Sequence, residues 1–217
     1  YDYGARQYDA AVGRFTTTDR FAEKYYSMSS YQYGANNPVG NIDVNGDSIV
    51  ISPNPNGLID HIKSRFGYDT KFQKTVKADL VQLKKDDKIV SKIISDLEKS
   101  ENVHFITMPK NKRRGNFSGV DKSKADEGIP QGTTIGYDPY KETDSNGERR
   151  VPRVGLSHEL RHSHDADKGT MTQEETENGV LLIEVRAINT ENRIRMKTGD
   201  PKRTKYGKKE IPKALLE

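Results

Sequence analysis

The chain has 217 residues, 32% hydrophobic and 31% charged, with a formal net charge of +4, enough for one ordinary domain with a modest core plus an appendage. It contains no cysteine, which excludes a disulfide framework, a thiolate metal site and a cysteine nucleophile, so any metal site must be built from the five histidines and the carboxylates. No apolar run is long enough to span a bilayer, no leader of the secretory kind is legible, and +4 spread over this length is too weak to point to nucleic acid.

Residues 1–47 are rich in Tyr, Gly and Asn. Turn formers such as Asn36-Asn37-Pro38 and Asn45-Gly46 alternate with tyrosines suited to a pleated, half-buried surface, so this segment reads as short strands and turns. It begins at Tyr1 in mid-pattern, as the carboxyl-terminal part of a longer chain would. At 48 the texture changes to a brief apolar strand (48–52) and the breaker run Pro53-Asn54-Pro55-Asn56-Gly57, so 48–69 is expected to connect the front segment to a second domain over 70–217. Over 70–100, Phe72, Val76, Leu80 and Leu83, then Ile89, Ile93, Ile94 and Leu97, recur at helical steps and mark a core face. A strand is expected at 103–108, a solvated basic turn at 110–114 and a polar loop at 118–132. The run 133–137, stopped by Asp138-Pro139, reads as a strand: either an ordinary core strand or an edge to which an extended peptide could add. A turn follows at 143–150, then helical patterns from Pro152 to His164 and over 174–197, the second ending at Gly199-Asp200-Pro201. The fold class is therefore α+β.

The chemistry concentrates in HELRHSHD, residues 158–165. On a helix, His158 and His162 share one face and can direct imidazole nitrogens at one ion, with Glu159 beside them near a bound water, the HExxH arrangement of zinc peptidases. The extended motif that would add a histidine fails, because Lys168 and Asp165 stand where His and Gly are needed. Candidates for a third ligand are then His164, Asp165, Asp167, or a carboxylate from Glu177, Glu184 and Glu191, spaced by seven. Glu184 is favoured: it interrupts the apolar run Val180, Leu181, Leu182, Ile183, Val185, where a buried carboxylate needs a partner, a metal or a base such as Arg186.

The set GLSHELRHSHD followed by EVRAINTENRIRMKTGDPKRTKY resembles the NleD-like effector zinc metallopeptidases over about the last third of the chain. Its positions here are Glu184, Ala187, Glu191, Asn192, Ile194 and Arg195, then Gly199, Pro201, Arg203 and Tyr206. The resemblance implies a zincin-like domain holding Zn2+ on His158, His162 and Glu184, with Glu159 as general base. Tyr206 is then an oxyanion-donor candidate, while Asn192 and Arg195 support the site. One departure is that Arg161, Ser163 and His164 are polar where family members carry apolar residues and Ala around the second His. The front segment, YDYGARQYDAAVGRFTTTDRF and SSYQYGANNPVGNIDVNGD, resembles the end of an RHS repeat-associated core, a β-rich shell around a carboxyl-terminal toxin. Related shells release their toxin with an aspartyl dyad. Asp19 and Asp43 match those acids, but Arg20 and Val44 replace the expected prolines, which favours turn acids over self-cleavage.

The combined expectation is a zinc endopeptidase toxin at the tip of an RHS protein, delivered by a bacterial secretion system into a target cell. It would act on a target-cell protein, be neutralised by a cognate immunity protein, sit against the rest of its RHS shell, and have no nucleic-acid or membrane partner. The competing readings are a nuclease tip, for which His104 with Asn111 is the one poor candidate site, and a zinc-binding module without catalysis.

Overall fold

The structure is a computed structural model that describes residues 7–9, 11–18, 29–31, 49–53, 68–109, 115–143 and 147–217. Asp19, Asp43, Asn111 and most of the expected RHS-like segment lie outside the described residues. Within that segment β1 (Tyr8–Asp9) pairs antiparallel with β2 (Arg14–Phe15), matching the expected strand-and-turn texture.

A four-stranded sheet organises the rest. Its strands are β3 (Ile49–Ile51), β4 (His104–Thr107), β5 (Phe117–Gly119) and β6 (Thr133–Gly136), in the order β3-β4-β6-β5. β3, β4 and β6 run parallel, and β5 joins β6 antiparallel with Phe117 opposite Gly136. The apolar stretch expected inside a connector is thus the first strand of the sheet. The strand at 133–137 is an internal strand, paired on both sides, so its core reading holds and its peptide-edge reading does not. The edge beside it is β5, within a stretch expected to be loop. At three residues, Phe-Ser-Gly, it is too short and too polar to show period-two alternation.

The helical region over 70–100 is two helices, α1 (Lys71–Asp86) and α2 (Lys88–Glu98). Thr70 opens α1 with a capping box: its Oγ1 accepts from Gln73 N at 3.3 Å, and Gln73 Oε1 accepts from Thr70 N at 3.0 Å. The same Gln73 donates Nε2 to Ile51 O at 3.0 Å and so ties α1 to β3. Asp87 breaks the run and caps α2, accepting from Ile89 N and Val90 N at 2.8 and 3.1 Å. That restart sets the phase, so Val90, Ile93, Ile94 and Leu97 are buried and Ile89 stays 44% exposed. These faces meet Ile49, Ile51, Ile106 and Ile135 of the sheet and Val154, Leu156 and Leu160 of α4 (Pro152–Asp167) in one core.

A short helix, α3 (Lys122–Asp126), follows β5. The last long helix, α5 (Leu182–Thr198), begins later than its sequence pattern. Residues 175–181 instead form a turn closed by the Glu175–Leu181 bridge, with Gly179 at φ +69°. Glu184 therefore lies in the first turn of α5. Gly199, left-handed at φ +76°, ends the helix, and a small hairpin of β7 (Lys205–Tyr206) and β8 (Lys209–Glu210) comes after it. None of the described helices is long and apolar enough to cross a membrane.

Candidate active site

Pro152 at the first position starts α4, and the apolar stripe Val154, Leu156 and Leu160 seats it on the sheet. His158, Glu159 and His162 then lie on the other flank, each only 7% exposed. Across from them, the first turn of α5 delivers Glu184, where the positive end of the helix dipole favours a carboxylate. Nε2 of His158 and Nε2 of His162 are 3.2 Å apart, and Glu184 Oε2 lies 3.3 Å from the first and 3.4 Å from the second. That Oε2 is buried with no hydrogen-bond partner among the described residues.

These separations test the fit of a metal. Ligands about 2.0–2.1 Å from a tetrahedral zinc stand about 3.3–3.4 Å from one another, and the three atoms form a triangle of that size. The three residues are the only such group among the described residues. The other candidates are engaged elsewhere. His164 Nε2 meets Asp96 at 3.2 Å, Asp165 pairs with Arg161 and Arg186 at 3.0 Å each, and Asp167 binds His104 at 3.3 Å. Arg186 is thus not the partner of Glu184. Glu177 is exposed and precedes the helix, so it shares no stripe with Glu184. His104, fully buried between Thr133 and Asp167, has no access to a phosphodiester.

Charge in the site is strongly perturbed. Burial alone would lower His158, but the carboxylates of Glu184 and Glu191 outweigh it and push His158 up to about 9. Burial would raise Glu184, yet the two imidazoles beside it hold it well below the usual carboxylate range. Glu159 is raised, chiefly by burial.

Sequence reasoning placed Glu191 among the ligand candidates, but it lies behind His158. Its Oε2 accepts from His158 Nδ1 at 3.1 Å and from Arg203 at 3.1 Å, and its Oε1 accepts from Arg195 Nε at 2.8 Å. Arg150 is 3.6 Å from the same carboxylate and reaches the cleft. Asn192 grips the backbone of Arg203 in both directions, at 2.9 and 2.7 Å. Arg203 in turn lies 5.7 Å over the ring of Tyr206. Tyr206, on the β7–β8 hairpin, lines the cleft beside Glu184, and burial followed by that carboxylate pushes its hydroxyl up to about 12. The expected supporting roles of Asn192 and Arg195 thus have a physical content, the docking of the segment that carries Tyr206.

The cleft has a volume of about 340 Å³ and is floored by the triad and Glu159. Asn116, Phe117 and Ser118 of the β5 edge and Lys141 form other parts of its wall. Arg150 and the β5 edge were missed by sequence reading; for Arg150 the available signal was Gly155, whose missing Cβ makes room for the Arg150 guanidinium.

No curated protein and no solved structure matches the chain. A family model described as Peptidase_M91, effector protein, matches residues 60–181, more than half of the 217. The matched span includes His158, Glu159 and His162 and ends just before Glu184. With an HExxH helix at the floor of a cleft and this match over most of the domain, the chain belongs to the Peptidase_M91 family of effector proteins.

Proposed function

We propose that this chain is a zinc-dependent endopeptidase effector of zincin-like fold. The observation that carries the proposal is the 3.2–3.4 Å triangle of two imidazole nitrogens and one hydrogen-bond-orphaned carboxylate oxygen beside a buried glutamate. His158, His162 and Glu184 would hold the metal, which when bound supplies Lewis acidity and lowers the pKa of a coordinated water to about 7.

The protein's own groups do the rest. Glu159, whose carboxyl burial raises above its ordinary value, accepts the proton of the attacking water and passes it to the leaving amine. Tyr206, whose hydroxyl burial and Glu184 push up, keeps its proton at neutral pH and donates a hydrogen bond to the carbonyl oxygen as charge develops on it. An extended substrate pairs with β5, the strand at the sheet edge whose Phe117 and Ser118 line the cleft.

The biological setting extends the same proposal. An effector of this kind is delivered by a bacterial secretion system into a target cell and cuts a protein there. The RHS-like front segment makes it the tip of a polymorphic toxin, with the remaining shell and an immunity protein that occludes the cleft as its partners. A nuclease is disfavoured because His104 is sealed in the core.

Metal content of the purified chain, measured by mass spectrometry, tests the reading. About one zinc per chain is expected for the wild type and a large loss for His162→Ala and Glu184→Ala. Glu159→Gln should keep zinc and fold but lose cleavage of a peptide library by at least 100-fold. A wild type that takes up no supplied zinc, or nucleolysis that survives Glu159→Gln, would overturn it.

A further inference from the structure

Of the two histidines facing Glu184, only His158 has its second ring nitrogen held. His162 Nδ1 is buried with no hydrogen-bond partner among the described residues, whereas His158 Nδ1 meets Glu191 Oε2 at 3.1 Å. Glu191 is fully buried, and its oxygens are shared out among Arg195 at 2.8 Å, Arg203 at 3.1 Å and Arg150 at 3.6 Å. A carboxylate held between guanidiniums can only accept from Nδ1, so Nδ1 must be the protonated nitrogen of His158. In the neutral imidazole that a metal ligand must be, this leaves the lone pair of Nε2 on the side of His162 and Glu184.

Arg203 does not come from the helix that carries Glu191. It belongs to the segment after Gly199, fastened to α5 by the two Asn192 hydrogen bonds at 2.9 and 2.7 Å. Arg195 reaches the same segment by donating to Pro201 O at 3.1 Å. The ionic bed of Glu191 is thus made partly by α5 and partly by the segment that also carries Tyr206.

We infer that Glu191 is a positioning residue that selects Nε2 of His158 for the metal, and that Arg203 couples this selection to docking of the carboxyl-terminal segment. The inference rests on the zinc reading for its consequence, but the His158–Glu191 contact stands without it. Glu191 contributes no ligand atom, yet the orientation of a ligand depends on it, as outer partners of metal-bound histidines commonly tune affinity by 10–100-fold.

The test uses zinc itself, with affinity read by competition against a chromophoric chelator, and heteronuclear imidazole NMR of the metal-free chain to follow solvent exchange of the His158 Nδ1 proton. Removing Glu191 alone would bury Arg195 without its carboxylate, so the pair Glu191→Met with Arg195→Met is compared with the wild type. Glu191→Asp, which keeps the charge but shortens the reach, is the second variant. Both should melt as cooperatively as the wild type, expose the Nδ1 proton to exchange and bind zinc about 10–100-fold more weakly. Arg203→Met, which touches neither imidazole, should weaken zinc binding in the same direction by a smaller factor.

Zinc affinity within twofold of wild type in a folded Glu191 variant would overturn the inference. So would an Nδ1 proton that stays protected after Glu191 is removed. If the wild type binds no zinc while the Nδ1 proton is protected only when Glu191 is present, the zinc reading has failed and the positioning contact has not.

Discussion

Gly155 sits one turn before His158 on α4, where a helix would ordinarily prefer alanine by about 1 kcal/mol. A Cβ at this position would lie 2.4 Å from an Arg150 guanidinium nitrogen and 2.5 Å from the Asn116 side-chain amide. Both are ends of flexible side chains, so the collision is relieved by moving them rather than the helix. Gly155→Ala should therefore leave the melting temperature unchanged or slightly raised while pushing Arg150 out of its seat beside Glu191 and the cleft. The expected result is retained zinc content with catalytic efficiency lowered about tenfold or more, since a side chain displaced by about 1 Å in an active site can cost up to about 100-fold. Unchanged peptide cleavage by a stable Gly155→Ala chain would show that the seat is dispensable. At this scale the sequence was legible where one rule acted alone. The i, i+4 spacing of His158 and His162 pointed to the candidate site, and the cost of a carboxylate in an apolar run pointed to Glu184, which the structure brings beside them. Glu191 shares a stripe with Glu184, and no local rule separates a group that faces the candidate metal site from one that faces the far nitrogen of a histidine lining it. Only the arginines gathered from residues 150, 195 and 203 make that distinction, and their meeting is a tertiary event.

At the scale of elements, α4 is fixed to the sheet by a buried polar chain as well as by its apolar stripe. Asp167, at the end of α4, accepts from Asn102 Nδ2 at 3.0 Å and from the Ser100 hydroxyl, and meets His104 Nε2 of β4 at 3.3 Å. His104 Nδ1 is 3.0 Å from Thr133 Oγ1 of β6, Thr133 donates to Ser163 of α4 at 2.9 Å, and Ser163 is 3.1 Å from Ser118 of β5. Three strands and the helix are thereby held in register, which explains why Ser163, next to His162, is polar. Burial would raise Asp167, but hydrogen bonds from His104, Lys168, Ser100 and Asn102 outweigh it and hold the carboxyl well below its usual range. A depressed carboxylate contributes stability above its unfolded value of about 3.9 and loses it as pH falls through the folded value. Asp167→Asn should cost about 1–3 kcal/mol at pH 7 and flatten the decline in melting temperature between pH 4 and more acid conditions, with zinc content unaffected. Thermal melts of both chains across that range check it. An equal acid decline in both would remove Asp167 from the account. The elements joined by this chain were unequally readable. The helical character of 71–98 and of α4 and the positions of the parallel strands follow from periodicity, whereas the break at Asp87 that sets the phase of α2 was not read, and β5 is defined only by its partner β6.

For the whole molecule, the candidate metal site lies between two bodies of different construction. α4 is rooted in the main core with α1, α2 and the sheet, which Ile194 of α5 also enters, while Val185 and Ile188 of α5 join Val180 and Ile211 in a second, smaller cluster. Where the two meet, His158 and His162 face Glu184, and the groups behind them are ionic rather than apolar. An interface of this kind gains less from burial than a hydrophobic one, because desolvating its charges offsets much of their attraction. An ion bound by ligands from both α4 and α5 would therefore act as a staple. A ligand that binds only the folded chain stabilises it by about 4 kcal/mol when free ligand is 1,000 times its Kd. For a chain of this size that corresponds to about 8–16 °C in melting temperature. Stripping zinc with a chelator should lower the transition by that order and loosen α5 first, with amide exchange rising over Leu182–Thr198 while α1 and α2 remain protected. His162→Ala should melt near the stripped wild type and show no further response to chelator. If chelation instead lowered protection evenly across both cores, α5 would be held by its own packing and the ion would serve chemistry alone.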